Sequence, residues 1–356
     1  MLHRALFTVL VLSFPAASRG AERLMLVAGG GSGTENVPAT QAKLNEPFAT
    51  DFDAQGNLYI AEHSGGRILK VDPQGKLTRF AGDGQAGDAG DGGPATAARF
   101  NHIHHILVND GKLLVADTNN HRIRQIDLAT GIVTPLFGTG EQGFTPDDVP
   151  GPQAKFGGVY SLSLSPRRDH LAVADLDNRR VRTIDFKTGA VKTIAGNGER
   201  GAPKDGAVAA SVPLIDPRAV AYDAHDNVYI VERGGHCLRF ATPKNRIYTV
   251  AGDGRAGYSP DIQLARHARF NGPKHACLDR DGNVLIADTE NHVIWRFFPA
   301  TKRIERIAGI GAPGDEGLGG PPTEARLARP HGVAIGPDGF IYIADSDNHR
   351  VVRIER

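Results

Sequence analysis

Six stretches of the chain read alike: LYIAEHSGGRIL at 58–69, LLVADTNNHRIR at 113–124, LAVADLDNRRVR at 171–182, VYIVERGGHCLR at 228–239, VLIADTENHVIW at 284–295 and IYIADSDNHRVV at 341–352. Each is a short apolar run that closes on an acid, then a polar turn, then a second apolar stretch. The acids are Glu62, Asp117, Asp175, Glu232, Asp288 and Asp345, so the steps between them are 55, 58, 57, 56 and 57 residues. Near-constant spacing of this kind marks an array of repeated supersecondary units rather than one irregular fold. It also changes how conspicuous residues are weighed, because a residue that recurs in every unit belongs first to the architecture.

Residues 273–309 show what one unit is. PKHACLD (273–279), VLIAD (284–288), VIWRFF (293–298) and RIERIAG (303–309) are strand-length segments, separated by RDGN, TENH and PATK. Four short strands joined by tight turns make an antiparallel meander. No segment carries the i, i+3, i+4 apolar spacing of an amphipathic helix. A four-stranded sheet cannot bury both faces by itself, and stacking copies around an axis solves the problem. The expected fold is therefore all-β, a six-bladed β-propeller of four-stranded antiparallel blades.

The last repeat reaches Arg356 after only three strands, and its fourth is found at the other end. RLMLVAGGGSG (23–33) matches AVKTIAGNGERG (190–201) and RIYTVAGDGRAG (246–257). Residues near 24–28 are thus expected beside 349–355, so that the N-terminal strand completes the last blade and closes the ring. Gly-rich connectors link the blades, for example AGDGQAGDAGDGGPATAARF (81–100), FGTGEQGFTPDDVPGPQAKF (137–156) and AGIGAPGDEGLGGPPTEARL (308–327). Several end in a turn that reads as one helical turn capping the blade, at Ala97 to Phe100 and Glu324 to Leu327.

Residues 1–20 read as an export signal: His3 and Arg4, an apolar run from Ala5 to Leu12, then small residues with Ser18 and Gly20 before Ala21. Ser13 and Pro15 break a run that is already shorter than the ~20 residues of a spanning helix. The domain expected is 21–356, secreted or periplasmic, with no membrane span after cleavage. Lys plus Arg number 41 against 40 for Asp plus Glu, a balance that argues against a nucleic-acid partner, which needs a concentrated basic face. Cys237 and Cys277 stand at unrelated repeat positions, so the spacing leaves their pairing open.

The phrase built from Pro330, Gly332, Val333, Ala334, Ile343 to Asp345, Asn348, His349 and Arg350 resembles the NHL repeat. The other units repeat it with decay; Glu62 and Glu232 are followed by Gly65-Gly66 and Gly235-His236. The connectors are similar to those of secreted bacterial NHL proteins and of teneurins. The resemblance implies the propeller. It also invites comparison with the amidating lyases of the same fold, whose axial zinc is held by Pro-His-x motifs from three blades. Only Pro330-His331-Gly332 has that form here, so the resemblance does not extend to the lyase site.

Chemistry is sought where the repetition fails. The Asp and His of the repeated phrase are read as turn structure, with Asp117 and Asp345 accepting backbone N–H bonds and His121 and His349 bridging strands. At the start of the inner strands, where the channel opens, the residue after the Pro position is read as Phe48, Ile103, Tyr160, Arg218, Lys274 and His331. The next is Ala49, His104, Ser161, Ala219, His275 and Gly332. The candidate ligand-binding residues at this mouth are Phe48, Tyr160, Arg218, Lys274, His331, His104 and His275. Two fixed cations, a phenol and imidazoles suit a small polar or anionic ligand, or an acidic side chain of a partner protein. Of His102, His104 and His105, strand alternation places at most two inward, and blades two and five are expected too far apart to touch across the axis.

These readings point to an exported, monomeric binding scaffold without catalysis or cofactor. The alternative is a metal-dependent lyase or hydrolase with an axial site around His331, joined by His104 or His275. Its metal would be zinc on those histidines; calcium at Asp83, Asp88 and Asp91 in the first connector is a separate reading, set against the Asp-Gly alternation that a turn also needs. No catalytic residue is assigned.

Overall fold

A computed structural model describes residues 21–259 and 261–356; the expected export signal, 1–20, lies outside the described residues. Six antiparallel sheets stand in chain order around one axis. Blade 1 begins with the inner strand Pro47–Phe52, blade 2 with Ile103–Asn109, blade 3 with Val159–Leu164, blade 4 with Pro217–Tyr222, blade 5 with His275–Leu278 and blade 6 with Pro330–Ile335. Arg23–Gly29 pairs antiparallel with Arg350–Glu355, with Leu24 opposite Ile354 and Leu26 opposite Val352, and so supplies the fourth strand of blade 6.

The apolar core is divided into six clusters, and each lies in the seam between two blades. Tyr229, Val231 and Leu238 of blade 4 pack on Val284, Ile286 and Trp295 of blade 5. Ile60 and Leu69 of blade 1 meet Tyr342 and Val351 of blade 6. Burial of each such side chain contributes roughly 1.5–3 kcal/mol. No blade has a core of its own, so the ring stands or falls as a unit.

The sheets are not uniformly four-stranded. Val37–Pro38, Ala207–Val208 and Gln263–Leu264 add a two-residue fifth strand to blades 1, 4 and 5. Single bridges do the same at Pro94 with Ile132 and Pro150 with Ala190. Leu24 exchanges both backbone bonds with Gly319 and Gly320 on blade 6. The connector entering each blade therefore runs over that blade's outer edge, covering groups that would otherwise template aggregation. Six single 3-10 turns, Ala39–Gln41 the first and Pro322–Glu324 the last, lie in these connectors.

The repeated acids are all fully buried. Each accepts a backbone N–H from the connector entering its own blade: Asn45 to Glu62, Asn101 to Asp117, Gly157 to Asp175, Ile215 to Glu232, Asn271 to Asp288 and Ala328 to Asp345. The repeated histidines go further than bridging strands and join blades. His236, His292 and His349 accept through Nδ1 from the backbone N–H of Gly272, Arg329 and Glu46 in the next blade, at 3.0–3.2 Å. His121 Nδ1 lies 2.7 Å from the Gly157 carbonyl.

Candidate functional site: the channel mouth

One residue near the start of the inner strand is left out of the ladder in five blades. The register slips between Pro47 and Ala49, Ile103 and His105, Val159 and Ser161, Pro217 and Ala219, and Pro330 and Gly332. In blade 5, Lys274 stands just ahead of the strand that starts at His275. A bulge of this kind bends the strand and re-aims a side chain. In five blades a left-handed residue sits two positions earlier, at Glu46, His102, Asp216, Gly272 and Arg329, with φ between 45° and 58°.

The residues released in this way are Phe48, His104, Tyr160, Arg218 and His331, and Lys274 holds the matching place in blade 5. They meet in a ring. Phe48 stacks on His331 with centroids 3.8 Å apart and touches His104 edge-on at 5.5 Å. His104 lies 4.6 Å from Tyr160, and the Arg218 guanidinium carbon stands 4.6 Å over the Tyr160 ring. Lys274 Nζ is 3.2 Å from His331 Nε2. His63 covers the other face of Phe48 at 4.0 Å.

Two sequence expectations are corrected here. Ile103 does not belong to this ring; it pairs with Asp117 as Pro47 pairs with Glu62, and is buried in the seam between blades 1 and 2. The expected alignment of blade 2 is one residue out of register, because Ile103 occupies the position that proline holds in blade 1. His104 is the blade's ring residue, and the layer beneath is Ala49, His105, Ser161, Ala219, His275 and Gly332. Nor are blades 2 and 5 too far apart: His105 and His275 stack across the axis at 4.9 Å. Their four companions in that layer are small, so two imidazoles fill the channel. His102 points to the rim, 4.6 Å from His63.

The two cations differ in an important respect. Lys274 donates to Glu290 Oε1 at 2.9 Å, and Glu290 also takes Arg329. Arg218 is only 5% exposed and, among the described residues, has the Tyr160 ring against it but no hydrogen-bond or ion-pair partner. Burial pulls its pKa down to about 9, with the charge of Arg233 adding to the effect. Burial likewise brings Lys274 down to about 8, against the pull of Glu290. His63 and His275 fall to about 4. His104, His105 and His331 are held well below the usual histidine range, by desolvation first and then by neighbouring cations. At neutral pH the mouth therefore holds neutral imidazoles beside a guanidinium that feels the Asp177 charge but, among the described residues, pairs with no carboxylate.

The histidines do not assemble a metal centre. His331 has Nδ1 on the Arg329 carbonyl at 2.9 Å and Nε2 toward the Lys274 ammonium. Phe48 lies against both His331 and His104, and His275 is one layer deeper. Among the described residues no group of three or more His, Cys, Asp or Glu is arranged to hold a metal ion. In the first connector Asp83 pairs with Arg99 at 2.8 Å and Asp91 with Arg122 and Arg124 at 3.0 and 2.6 Å, so arginines take two of the three carboxylates considered for calcium. Cys237 and Cys277 are both free. Cys237 donates to Glu232, while Cys277 lines the channel.

Below the histidine pair the channel widens to a cavity of ≈ 240 Å³. Thr50 Oγ1 and His105 Nδ1 are buried there without a partner. The opposite face opens into a larger hollow, ≈ 1090 Å³, that includes Asp51, Lys70, Arg168 and Arg280. Sequence reasoning missed this second opening, whose residues come from the inner-strand ends and hairpin turns, where polar residues are ordinary. Among the described residues no helix is long and apolar enough to cross a membrane.

The NHL repeat family matches residues 100–126, 270–297 and 327–354. NHL repeat-containing protein 2 of Bos taurus is 24% identical over 323 residues, 83% of this chain and 44% of that protein. Teneurin-3 of Mus musculus is 24% identical over 278 residues, 69% of this chain and 9% of that protein. The chain thus spans less than half the length of these relatives. Among solved structures, an auxiliary nutrient binding protein from Bacteroides thetaiotaomicron superposes with a TM-score of 0.69 at 15% identity, covering 94% of this chain and 76% of that one. That likeness bears on the fold alone. The matched repeats and the six blades agree: the chain is a six-bladed β-propeller that carries NHL repeats.

Proposed function

We propose that the protein is an exported, monomeric binding module that takes a small anionic ligand, a carboxylate above all, at the channel mouth. Arg218 is the anchor, Lys274 the second cation, and Phe48, His104, Tyr160 and His331 form the wall; His275 closes the floor. The observation that carries this reading is the Arg218 guanidinium, buried and, among the described residues, in hydrogen bond or ion pair with no carboxylate. A charge taken out of water is costly unless paired, and a ligand carboxylate would accept two parallel N–H bonds from it. The signal reading of 1–20 supports placement in the periplasm or outside the cell. The description of the Bacteroides neighbour as a nutrient binding protein agrees with capture of a small solute.

The test is a thermal-shift panel of acetate, succinate, 4-oxopentanoate, phosphate and neutral analogues on the wild type and Arg218→Met. A concentration-dependent rise in Tm with one class of anion, absent from Arg218→Met, supports the reading. A response to no anion, or an equal response in the variant, contradicts it.

A further inference from the structure

The Lys274 amine has the surroundings of a nucleophile as well as of a point charge. It stands just ahead of the inner strand of blade 5 with its side chain 11% exposed, next to the buried Arg218 site. Its Nζ contacts His331 Nε2 at 3.2 Å, while His331 Nδ1 is fixed on the Arg329 carbonyl at 2.9 Å. The proton of that imidazole is thereby placed on Nδ1, and its Nε2 lone pair faces the lysine. Amine, imidazole and an orienting acceptor in sequence are the arrangement that activates a nucleophile. Phe48 stacked on His331 keeps water from the imidazole face. Lys274 and Arg329 share the Glu290 carboxylate, and Arg218 is near enough to help lower the Lys274 pKa.

We propose that the ligand is an oxo-carboxylate, held by its carboxylate on Arg218 and captured by its carbonyl as an imine of Lys274. This rests on the anion-site reading above and names the class of ligand for that site. Burial supplies a neutral amine: with a pKa of about 8, on the order of one lysine in ten is unprotonated at pH 7. The amine lone pair forms the C–N bond and the carbonyl π pair moves to oxygen. His331 Nε2 takes the proton from the resulting ammonium and returns it to that oxygen. A second proton, from water, lets the oxygen leave as water with the C–O bonding pair, and the nitrogen lone pair closes the C=N bond. In sum, one ketone, one neutral lysine amine and one proton give one protonated imine and one water molecule. The cationic product gains stability when a carboxylate already covers Arg218.

The experiment is borohydride trapping on the full chain with 4-oxopentanoate and with pyruvate, followed by peptide mass spectrometry. The expected result is reductive alkylation concentrated on Lys274, absent in Lys274→Arg and down at least tenfold in Arg218→Met, with butanone, which lacks the carboxylate, giving little adduct. Circular dichroism shows whether each variant is folded, and Arg218→Gln is the fallback if Arg218→Met is not. No adduct, or one spread over exposed lysines and unchanged in Lys274→Arg, overturns the imine. If pentanoate, which has no carbonyl, then still binds in an Arg218-dependent way, the anion site survives; loss of both overturns both.

Discussion

The guanidinium of Arg218 stands 4.6 Å over the ring of Tyr160 and, among the described residues, makes no hydrogen bond or ion pair. A cation–π contact contributes about 0.5–2 kcal/mol. Burial of an unpaired charge costs several kcal/mol. The cost wins, so the side chain is held in place at the expense of stability.

Arg218→Met should accordingly leave the ligand-free protein at least as stable as the wild type, with a gain of about 1–3 kcal/mol. Denaturant or thermal unfolding measures this directly. A marked loss of stability would mean that the guanidinium has a structural partner after all.

Gly332 is at the second layer of blade 6, and a Cβ there would lie 2.3 Å from the Phe48 carbonyl oxygen. Gly332→Ala must push blades 6 and 1 apart where Phe48 stacks on His331. We expect a loss of about 1–3 kcal/mol and weaker anion binding together. An alanine variant with wild-type melting and binding would show that the mouth is looser than described.

Blade 6 is completed by the pairing of Arg23–Gly29 with Arg350–Glu355, and its seam with blade 1 is bridged by His349 Nδ1, which accepts from the Glu46 N–H. His349→Ala should cost about 0.5–1.5 kcal/mol, the net worth of one hydrogen bond, because the Glu46 N–H is exposed and water can take it up. Removal of 21–29 should do far more, because it bares the edge of Arg350–Glu355. Light scattering during a melt should show early aggregation for the truncation and not for His349→Ala.

Asp288 accepts from Asn271 N–H, Asn291 Nδ2 and Trp295 Nε1, yet burial raises its pKa to about 7. The unfolded value is near 3.9. The folded chain therefore holds the proton more tightly between these limits, and stability from the neutral acid is complete below pH ~4 and fades as pH rises through ~7. Asp288→Asn cannot titrate. The melting difference between wild type and Asp288→Asn should be larger at pH 5 than at pH 8; the opposite trend would mean that the carboxylate is preferred charged.

The sequence made the blades legible because a buried acid at every turn must recur with the blade, and it located ring closure because RLMLVAG repeats the fourth-strand pattern. It placed Arg218, Lys274, Tyr160, Phe48 and His331 at the mouth for the same reason. Blade 2 escaped because its bulge depends on His102 adopting a left-handed conformation, which nothing in NHIHH announces. The stack of His105 on His275 was illegible for a different reason: it depends on the width of the axis, set by packing in six seams at once. The arginine partners of Asp83 and Asp91 are likewise long-range, from Arg99, Arg122 and Arg124.

Titration calorimetry with 4-oxopentanoate on the wild type and Arg218→Met, at low and at physiological salt, tests the anion site most directly. The account predicts one saturable site per chain, at least tenfold weaker in Arg218→Met at both salt concentrations, because a buried pair is screened little. Binding that is equal in the two proteins, or that vanishes at physiological salt in the wild type, would contradict it.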